Sequence, residues 1–329
     1  MNEPQPAILV SVVVPTCRRP DLLARGMRAL LGQDFPAESY EIIVCDDAAS
    51  GETRRQVEAL DARAGPGPRV RYLAAEHTRG PAAARNLGWR QARGAIIAFT
   101  DDDTIAAPDW LAQGVLALRP GVQAAAGRTD MPIPDVPTDY ERDAAGLARA
   151  EFITANCFVR RAALEEVGGF DARYTMAWRE DSDLFFALLE RGMEVVRAPR
   201  ARVLHPVRPA PFAVGLRMQK KVMFDVLLYR KYPRLYRARV RRGPPWFYLA
   251  VSTSLAAALA AALAGQRLAA VALGGVWLAL TGYFFARRLR GVSHAAGHVA
   301  ELALTSAAIP VLSIAWRLVG VARYGARFP

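Results

Sequence analysis

The stretch GAIIAFTDDDT, Gly94 to Thr104, joins an apolar run to three consecutive carboxylates with no turn residue between them. A short, continuous apolar run of this kind predicts a buried strand rather than a half-exposed one. Asp101, Asp102 and Asp103 at its carboxyl end repel one another unless positive charge sits among them. In open α/β sheets ligands bind at that end of the strands, and a hard cation carrying a diphosphate suits clustered oxygens. For these three residues alone, an acidic turn capping the next helix is an equal reading.

Outward from this stretch the chain alternates strand and helix. Ile8 to Val14 is a β-branched run that ends in Pro15 and Thr16, and a helical pattern opens at Asp21 with Leu22, Leu23, Met27, Leu30 and Leu31 apolar. Tyr40 to Cys45 is a second buried-type strand ending in Asp46 and Asp47, with Ser50 placed to cap the helix behind it. Val70 to Ala74 is a third strand, followed by a loop over 76–81 and a helix over 82–92. Strand-like runs recur over 152–160 and 195–204. This alternation, with polar residues gathered at the strand ends, predicts an α/β fold with a doubly wound, Rossmann-like, mostly parallel sheet.

Composition adds a second part. The 329 residues carry a net charge of +12, yet mean hydropathy is slightly positive at +0.09. That combination suits a protein lying against an anionic membrane. Nucleic acid is not expected as a partner, because the chain has no zinc-finger spacing, no RNA-binding aromatic signature and no isolated basic arm. Cys17, Cys45 and Cys157 lack metal-ligand spacing and read as reduced, partly buried thiols of a cytosolic domain. The opening MNEPQPAILV has neither a basic n-region nor a long apolar h-region, so no signal peptide is expected there.

The ordered set VSVVVPTCRRPDLL, IIVCDDAAS, RGPAAARNLG and IIAFTDDDT, followed by FITANCFVRRAALEEVGGFD, WREDSDL and ARVLHP, resembles the family 2 glycosyltransferases with the GT-A fold. The resemblance covers about residues 8–210. It implies a nucleotide-sugar donor held by Pro15, Thr16, Asp46 and Asp47 at the first two strand ends. Arg79, Arg85 and Asn86 then lie where the family contacts the diphosphate or orders the acidic loop. In the triplet, the resemblance gives the divalent ion to Asp103 and a nucleotide or sugar contact to Asp101, with Asp102 the variable middle position of the donor site. His205 falls where related enzymes place a metal-ligating or phosphate-contacting histidine. A divalent cofactor, Mn²⁺ or Mg²⁺, is thereby implied, and a histidine ligand would favour Mn²⁺.

The resemblance also makes Asp181, with Glu180 beside it, the catalytic pair. Asp181 would be the general base toward the acceptor hydroxyl, giving inversion at the anomeric carbon. Trp178 would stack on the acceptor or the sugar. Each of these residues has a structural alternative in the sequence itself: turn capping for Asp46 and Asp47, a solvated surface for Arg79, helix-dipole placement for Glu180 and Asp181, and a core ring for Trp178. No Gln-x-x-Arg-Trp sequence follows the acidic pair, unlike the processive synthases, so addition of one sugar at a time is expected. The segment 127–150, rich in Pro, Asp and Arg, reads as a mobile loop on the acceptor side.

Beyond 210 the pattern changes. Residues 211–245 interleave Lys and Arg with Leu, Phe and Tyr and read as a basic interfacial amphipathic segment. Residues 246–329 form a transmembrane region, with apolar runs over 246–265 and 268–286 joined by a minimal turn. Arg237, Arg239, Arg241 and Arg242 precede this hairpin and Arg287, Arg288 and Arg290 follow it. By the positive-inside rule, the catalytic domain 1–210 is expected on the cytoplasmic face of a multi-pass membrane protein. A third segment, 299–319, either spans or lies in the interface, and Arg323 and Arg327 beyond it favour the interface.

The expected function is metal-dependent, inverting sugar transfer to a lipid-linked or membrane-proximal acceptor in glycan or glycolipid synthesis, with membrane lipids as further partners. A polyprenyl phosphate acceptor is the runner-up. A catalytically idle membrane scaffold would have eroded acidic motifs, whereas Asp101, Asp103, Glu180 and Asp181 are all present. A nucleotidyltransferase usually has a glycine-rich loop after the first strand, and here that loop reads PTCRRPD.

Overall fold

The computed structural model describes residues 8–63, 67–76, 80–325 and 327–328. The chain divides into two compact units, one of Met1–Pro132 with Gly146–Pro206, the other of Ile133–Ala145 with Val207–Pro329.

The first unit is built on one sheet of eight strands among the described residues. These are β1 (Val10–Thr16), β2 (Tyr40–Asp46), β3 (Arg69–Ala74), β4 (Ile96–Thr100), β5 (Ile105–Ala106), β6 (Val122–Asp130), β7 (Asn156–Arg160) and β8 (Glu194–Leu204). Their spatial order is β3-β2-β1-β4-β7-β6-β8-β5. The β3-β2-β1-β4 half is parallel throughout, so its strands all end at one edge. β7 runs antiparallel between β4 and β6, and β8 returns parallel to β6. Every residue of β1 and β2 is buried, as strands covered on both faces require.

The helices of this unit are α1 (Pro20–Leu31), α2 (Gly51–Arg63), α3 (Pro81–Gln91) and α4 (Trp110–Ala117). After α5 (Asp139–Ala145), which belongs to the second unit, come α6 (Arg161–Val167) and α7 (Glu180–Glu190). Leu23, Met27 and Leu30 of α1 join Val10, Val12 and Val14 of β1 in the core, confirming the apolar stripe read from the sequence. Asn156 ties the antiparallel half together. Its side-chain amide donates to the carbonyls of Arg128 (2.8 Å) and Ala201 (3.0 Å), and its oxygen accepts the Trp110 indole N–H (2.8 Å). Among the cysteines, Cys45 and Cys157 are buried and Cys17 is exposed, not partly buried as the sequence suggested.

The second unit holds α8 (Val214–Met218), α9 (Met223–Lys231), α10 (Pro233–Arg239), α11 (Trp246–Leu263), α12 (Arg267–Leu289) and α13 (Ala296–Tyr324). The last three are long and apolar enough to cross a membrane. The segment 211–245 is not one surface amphipath: Met223 to Leu228 of α9 are buried in succession, including Asp225. Nor are residues 139–145 a loop. They form α5, whose Asp139 carboxylate accepts from Arg288 at 2.8 Å, while Arg142 donates to the Arg288 carbonyl at 3.0 Å.

At the amino-terminal edge of the sheet lies a buried carboxylate that the sequence reading passed over. Glu41 of β2 accepts from Ser11 Oγ (2.7 Å), the Arg93 N–H (2.7 Å), Arg93 Nε (3.1 Å) and Arg71 Nη1 (3.2 Å). Burial alone would raise this carboxyl, but the Ser11 and Arg93 hydrogen bonds outweigh it and hold the group below its ordinary range. A lowered carboxylate stabilises the fold above its unfolded-state pKa and loses that contribution as pH falls through the folded one. Glu41→Ala leaves the buried Ser11 hydroxyl and the Arg93 N–H without this acceptor, while both arginines reach solvent, and is expected to cost about 1–3 kcal/mol. Thermal unfolding at pH 7 checks this. The deficit should shrink toward pH 3.

Candidate active site

The carboxyl ends of β2, β1 and β4 lie side by side at one edge of the sheet. The triplet after β4 is held as a tight turn by its flanking threonines. Thr100 and Thr104 hydroxyls lie 2.6 Å apart, and Thr104 Oγ1 donates to the Asp101 carbonyl at 2.8 Å. Helix α1 approaches this turn at Gly26, where a Cβ would stand 3.1 Å from the Thr104 carbonyl oxygen and 3.2 Å from that of Asp102. Directly after the turn, Ile105 and Ala106 pair antiparallel with Leu204 and Val203. That register delivers His205 to the acidic turn, with Nε2 3.7 Å from Asp103 Oδ1.

Asp101, Asp103 and His205 each bring one donor atom within 4.8 Å of the others. His205 Nδ1 is buried and has no hydrogen-bond partner among the described residues. Two carboxylates and an imidazole with a ring nitrogen left unpaired fit a divalent cation of the Mn²⁺ or Mg²⁺ type. Asp102 is different. It is buried inward, accepting from Thr16 Oγ1 at 2.7 Å and pairing with Arg19 at 3.1 Å. Burial pushes its carboxyl up to about 6, with Arg19 and Thr16 pulling the other way. Asp102 and Thr16 therefore brace the first loop against the third, and Pro15 is buried beside Thr16 in β1.

Arg85 on α3 joins the triplet to the second acidic motif. Its Nη2 lies 2.7 Å from Asp101 Oδ1 and its Nη1 lies 3.2 Å from Glu180 Oε1, with the guanidinium almost wholly buried. Burial would raise the Asp101 carboxyl, but Arg85, His205 and Arg19 together hold it below the carboxylate range. Glu180 and Asp181 are shifted the opposite way. Burial raises both, Asp181 adds to the rise of Glu180, and Arg85 opposes it. Both sit in the first turn of α7, and Asp181 Oδ1 accepts the Ser182 N–H at 2.6 Å. Arg179, just before them, has φ +73°, and its guanidinium lies 4.7 Å from the Trp178 ring centroid. A non-glycine residue in that region is strained, and such strain gathers at functional sites.

The remaining donor-site candidates separate. Asp46 is fully buried and its oxygens accept from the N–H groups of Ala48 (2.9 Å) and Ser50 (2.6 Å) and from Tyr72 Oη (3.0 Å). It closes the turn after β2. Asp47 is half-buried, and its Oδ1 accepts the Gly80 N–H at 2.8 Å. Asn86 is wholly used inside the fold, bonded to the Phe170 carbonyl (2.7 Å), the Phe170 N–H (2.9 Å) and the Trp89 indole (2.8 Å). Arg79 lies outside the described residues. Arg19, which the sequence reading did not single out, pairs with Asp102 and also lies 3.6 Å from Asp103. No motif marks it.

The family model for glycosyl transferase family 2 matches residues 11–183, more than half of the chain and all of these motifs except His205. The chain belongs to this family. It is 29% identical over 171 residues to the glycosyltransferase AglE of Haloferax volcanii, covering 49% of this chain and 55% of AglE. It is 36% identical over 109 residues to the Campylobacter jejuni GalNAc(5)-diNAcBac-PP-undecaprenol beta-1,3-glucosyltransferase, covering 33% of this chain and 32% of that enzyme. The matched stretch thus spans about half or less of these relatives' length. In structure it resembles the mannosyltransferase PcManGT of Pyrobaculum calidifontis in complex with GDP-Man and Mn²⁺, with a TM-score of 0.54, 21% identity, and 93% and 90% of the two chains covered. The fold is accordingly GT-A-like, as the resemblance implied.

Arg85 offers a direct test of this geometry. A lysine ammonium is a point charge and cannot bridge two carboxylates as a guanidinium does. Arg85→Lys is expected to lower turnover about 100-fold through misplacement of the two motifs. Donor-dependent sugar transfer and thermal unfolding of the same preparation check it. A folded variant with wild-type turnover would show that the bridge is dispensable.

Proposed function

We propose that this glycosyltransferase moves a single sugar from a nucleotide-sugar donor to a lipid-linked or membrane-proximal acceptor, with inversion and with a divalent cation. The observation that carries the reading is the Asp101–Asp103–His205 donor set joined through Arg85 to Glu180 and Asp181. Asp101, Asp103 and His205 would hold the cation. When bound, it neutralises the charge of the departing nucleoside diphosphate.

Asp181 takes the proton of the acceptor hydroxyl as that oxygen attacks the anomeric carbon, while the bond to the diphosphate oxygen breaks on the opposite face. Its raised pKa makes it a better proton acceptor than an ordinary aspartate. Arg85 keeps Glu180 from competing for that proton by pairing with it. Asp47, half-buried at the end of β2, is the carboxylate left to meet the nucleoside, and Trp178 offers a half-buried ring to the acceptor. The absence of Gln-x-x-Arg-Trp supports addition of one sugar at a time.

The acceptor class is supported by the apolar helices and by relatives such as the undecaprenol-linked glucosyltransferase of Campylobacter jejuni. Arginines at both ends of the α11–α12 hairpin favour the cytoplasmic face for the catalytic domain. Binding of a panel of nucleoside diphosphates with and without Mn²⁺, for wild type and Asp103→Ala, tests the donor half. One nucleotide should bind only with metal, and the variant should lose it. Binding of none under any condition would remove the catalytic reading in favour of an idle scaffold.

The acid limb of turnover tests the base. A raised Asp181 predicts that turnover falls as pH drops through a value above the ordinary carboxylate pKa of about 4, because the base is then protonated. Asp181→Asn should abolish turnover with a hydroxyl acceptor. Substantial residual turnover would instead indicate an acceptor that is already an anion, such as a polyprenyl phosphate.

A further inference from the structure

Helix α13 has the length and composition to cross a membrane, but its contacts within the second unit run along one side. At its start, His298 Nε2 accepts the Asp139 N–H at 3.0 Å. One turn on, Glu301 Oε1 accepts the Ala213 N–H at 2.9 Å. The hydroxyls of Thr305 and Ser306 accept from Arg288 at 2.8 and 3.0 Å, and the same guanidinium reaches Asp139 at 2.8 Å. Arg317 pairs with Asp225 of α9 at 3.0 Å, both side chains nine-tenths or more buried. Gly320 lies so close to α9 that a Cβ would stand 2.8 Å from the Met223 carbonyl oxygen. At the end, the Tyr324 carbonyl accepts from Arg230.

These partners share a position in the chain. Asp139, Ala213, Met223, Asp225 and Arg230 all precede Trp246, where the first membrane-length helix begins. No described helix before α11 is long and apolar enough to cross; the helical run over 214–231, in which a 3-10 turn joins α8 to α9, carries Arg217, Lys220, Lys221, Asp225, Arg230 and Lys231. They therefore lie on the side from which the chain enters α11. Arg288, in the last turn of α12, is held to that side by Asp139. From His298 to Tyr324, α13 rises about 39 Å, more than the roughly 30 Å of a hydrocarbon core. A spanning helix would put those two residues on opposite sides of the membrane. Here both ends and the middle are bound to groups on one side.

The faces of α13 agree. Its inward face carries Thr305, Ser306, Ser313 and Arg317, all buried. Between residues 300 and 322, every exposed side chain is Ala, Leu or Val, including Leu304, Leu318 and Val319. Polar groups facing protein partners and an unbroken apolar face outward suit a helix lying in the interface, with acyl chains against its outer face.

We propose that α13 lies in the plane of the membrane, its outer face against the acyl chains of the leaflet on the side from which the chain enters α11. The chain crosses the bilayer twice, through α11 and α12, and its carboxyl end returns to the side from which it entered. This rests on the reading of α11 and α12 as a membrane hairpin, and not on the chemistry assigned to the acidic site.

The test uses the full chain in a bacterial inner membrane, with green fluorescent protein or alkaline phosphatase fused at the carboxyl end, or phosphatase inserted after Gln266. The carboxyl-terminal fusions should be fluorescent and phosphatase-inactive, and the Gln266 insertion at least about tenfold more phosphatase-active. An active carboxyl-terminal phosphatase overturns the in-plane helix; an inactive Gln266 insertion overturns the hairpin on which it rests. A second readout places a fluorophore at Leu304→Cys or Leu318→Cys in a Cys17→Ser background, with quenching by spin-labelled lipids. An in-plane helix gives both sites the same shallow depth, whereas a spanning helix separates them by about 21 Å and gives clearly unequal quenching. The donor-binding panel is independent of both readouts, so failure of the topology and failure of the catalytic reading are separable.

Discussion

The charge problem at the carboxyl end of the sheet governs the arrangement around it. Five carboxylates, those of Asp101, Asp102, Asp103, Glu180 and Asp181, gather near one loop. Two like charges at 4 Å repel by about 4 kcal/mol at an effective dielectric constant of 20, so five cannot all stay ionised without cations among them. Arg85 supplies one from inside the fold and Arg19 another from the first loop, while the β5–β8 pairing brings the His205 imidazole alongside. The result is a sorting rather than a neutralisation. Asp101 is held low, while burial raises Glu180 and Asp181. Neighbouring carboxylates with pKa values pushed apart are what acid–base chemistry beside a cation needs.

The backbone shows the same concentration of cost. Among the described residues, the non-glycine positions with positive φ in the first unit are Arg18, Ala49 and Arg179. They follow β1, follow β2 and precede α7, one at each loop that carries a donor-site or catalytic candidate. Strain of order 1–3 kcal/mol per residue persists only where the surroundings over-determine the conformation. Here the surroundings are fully buried parallel strands and the Asp46 and Asp102 braces, which fix the loop ends from behind. This division explains why Asp46, Asp102 and Asn86 are so thoroughly hydrogen-bonded inward: they hold the shape of a site whose open face is formed by Asp47, Asp101, Asp181 and Trp178.

Much of the fold was legible because its signals are local. Continuous apolar runs marked β1, β2 and β4 to within two residues, the last two leading into carboxylates, and α1 and α3 appeared at their expected places. What escaped was long-range. Nothing near Glu41 announces that Arg71 and Arg93 will meet it, and nothing near Arg19 announces Asp102, because those pairs are made by strand order and not by spacing. The motifs also could not separate bracing residues from exposed ones: Asp46 and Asp47 are adjacent, yet one turns into the fold and the other half out of it. Residues 139–145 were misread as a loop for the same reason, since their partners, Arg288 and Arg290, are about 150 residues away.

The second unit uses the same device as the first. Arg288 and Arg317 each join elements distant in sequence, as Arg85 does, and a guanidinium suits this because it is weakly hydrated and presents its donors in a fixed fork. Removing one partner from a buried pair such as Arg317–Asp225 strands a charge and costs about 3–5 kcal/mol. The pair therefore adds little stability over an apolar contact, but it sharply penalises any rotation or slippage of α13 that separates it. Between residues 300 and 322 its exposed side chains are only Ala, Leu and Val, which do not favour one rotation of the helix over another. The buried polar groups make that choice, and the apolar exterior follows from it.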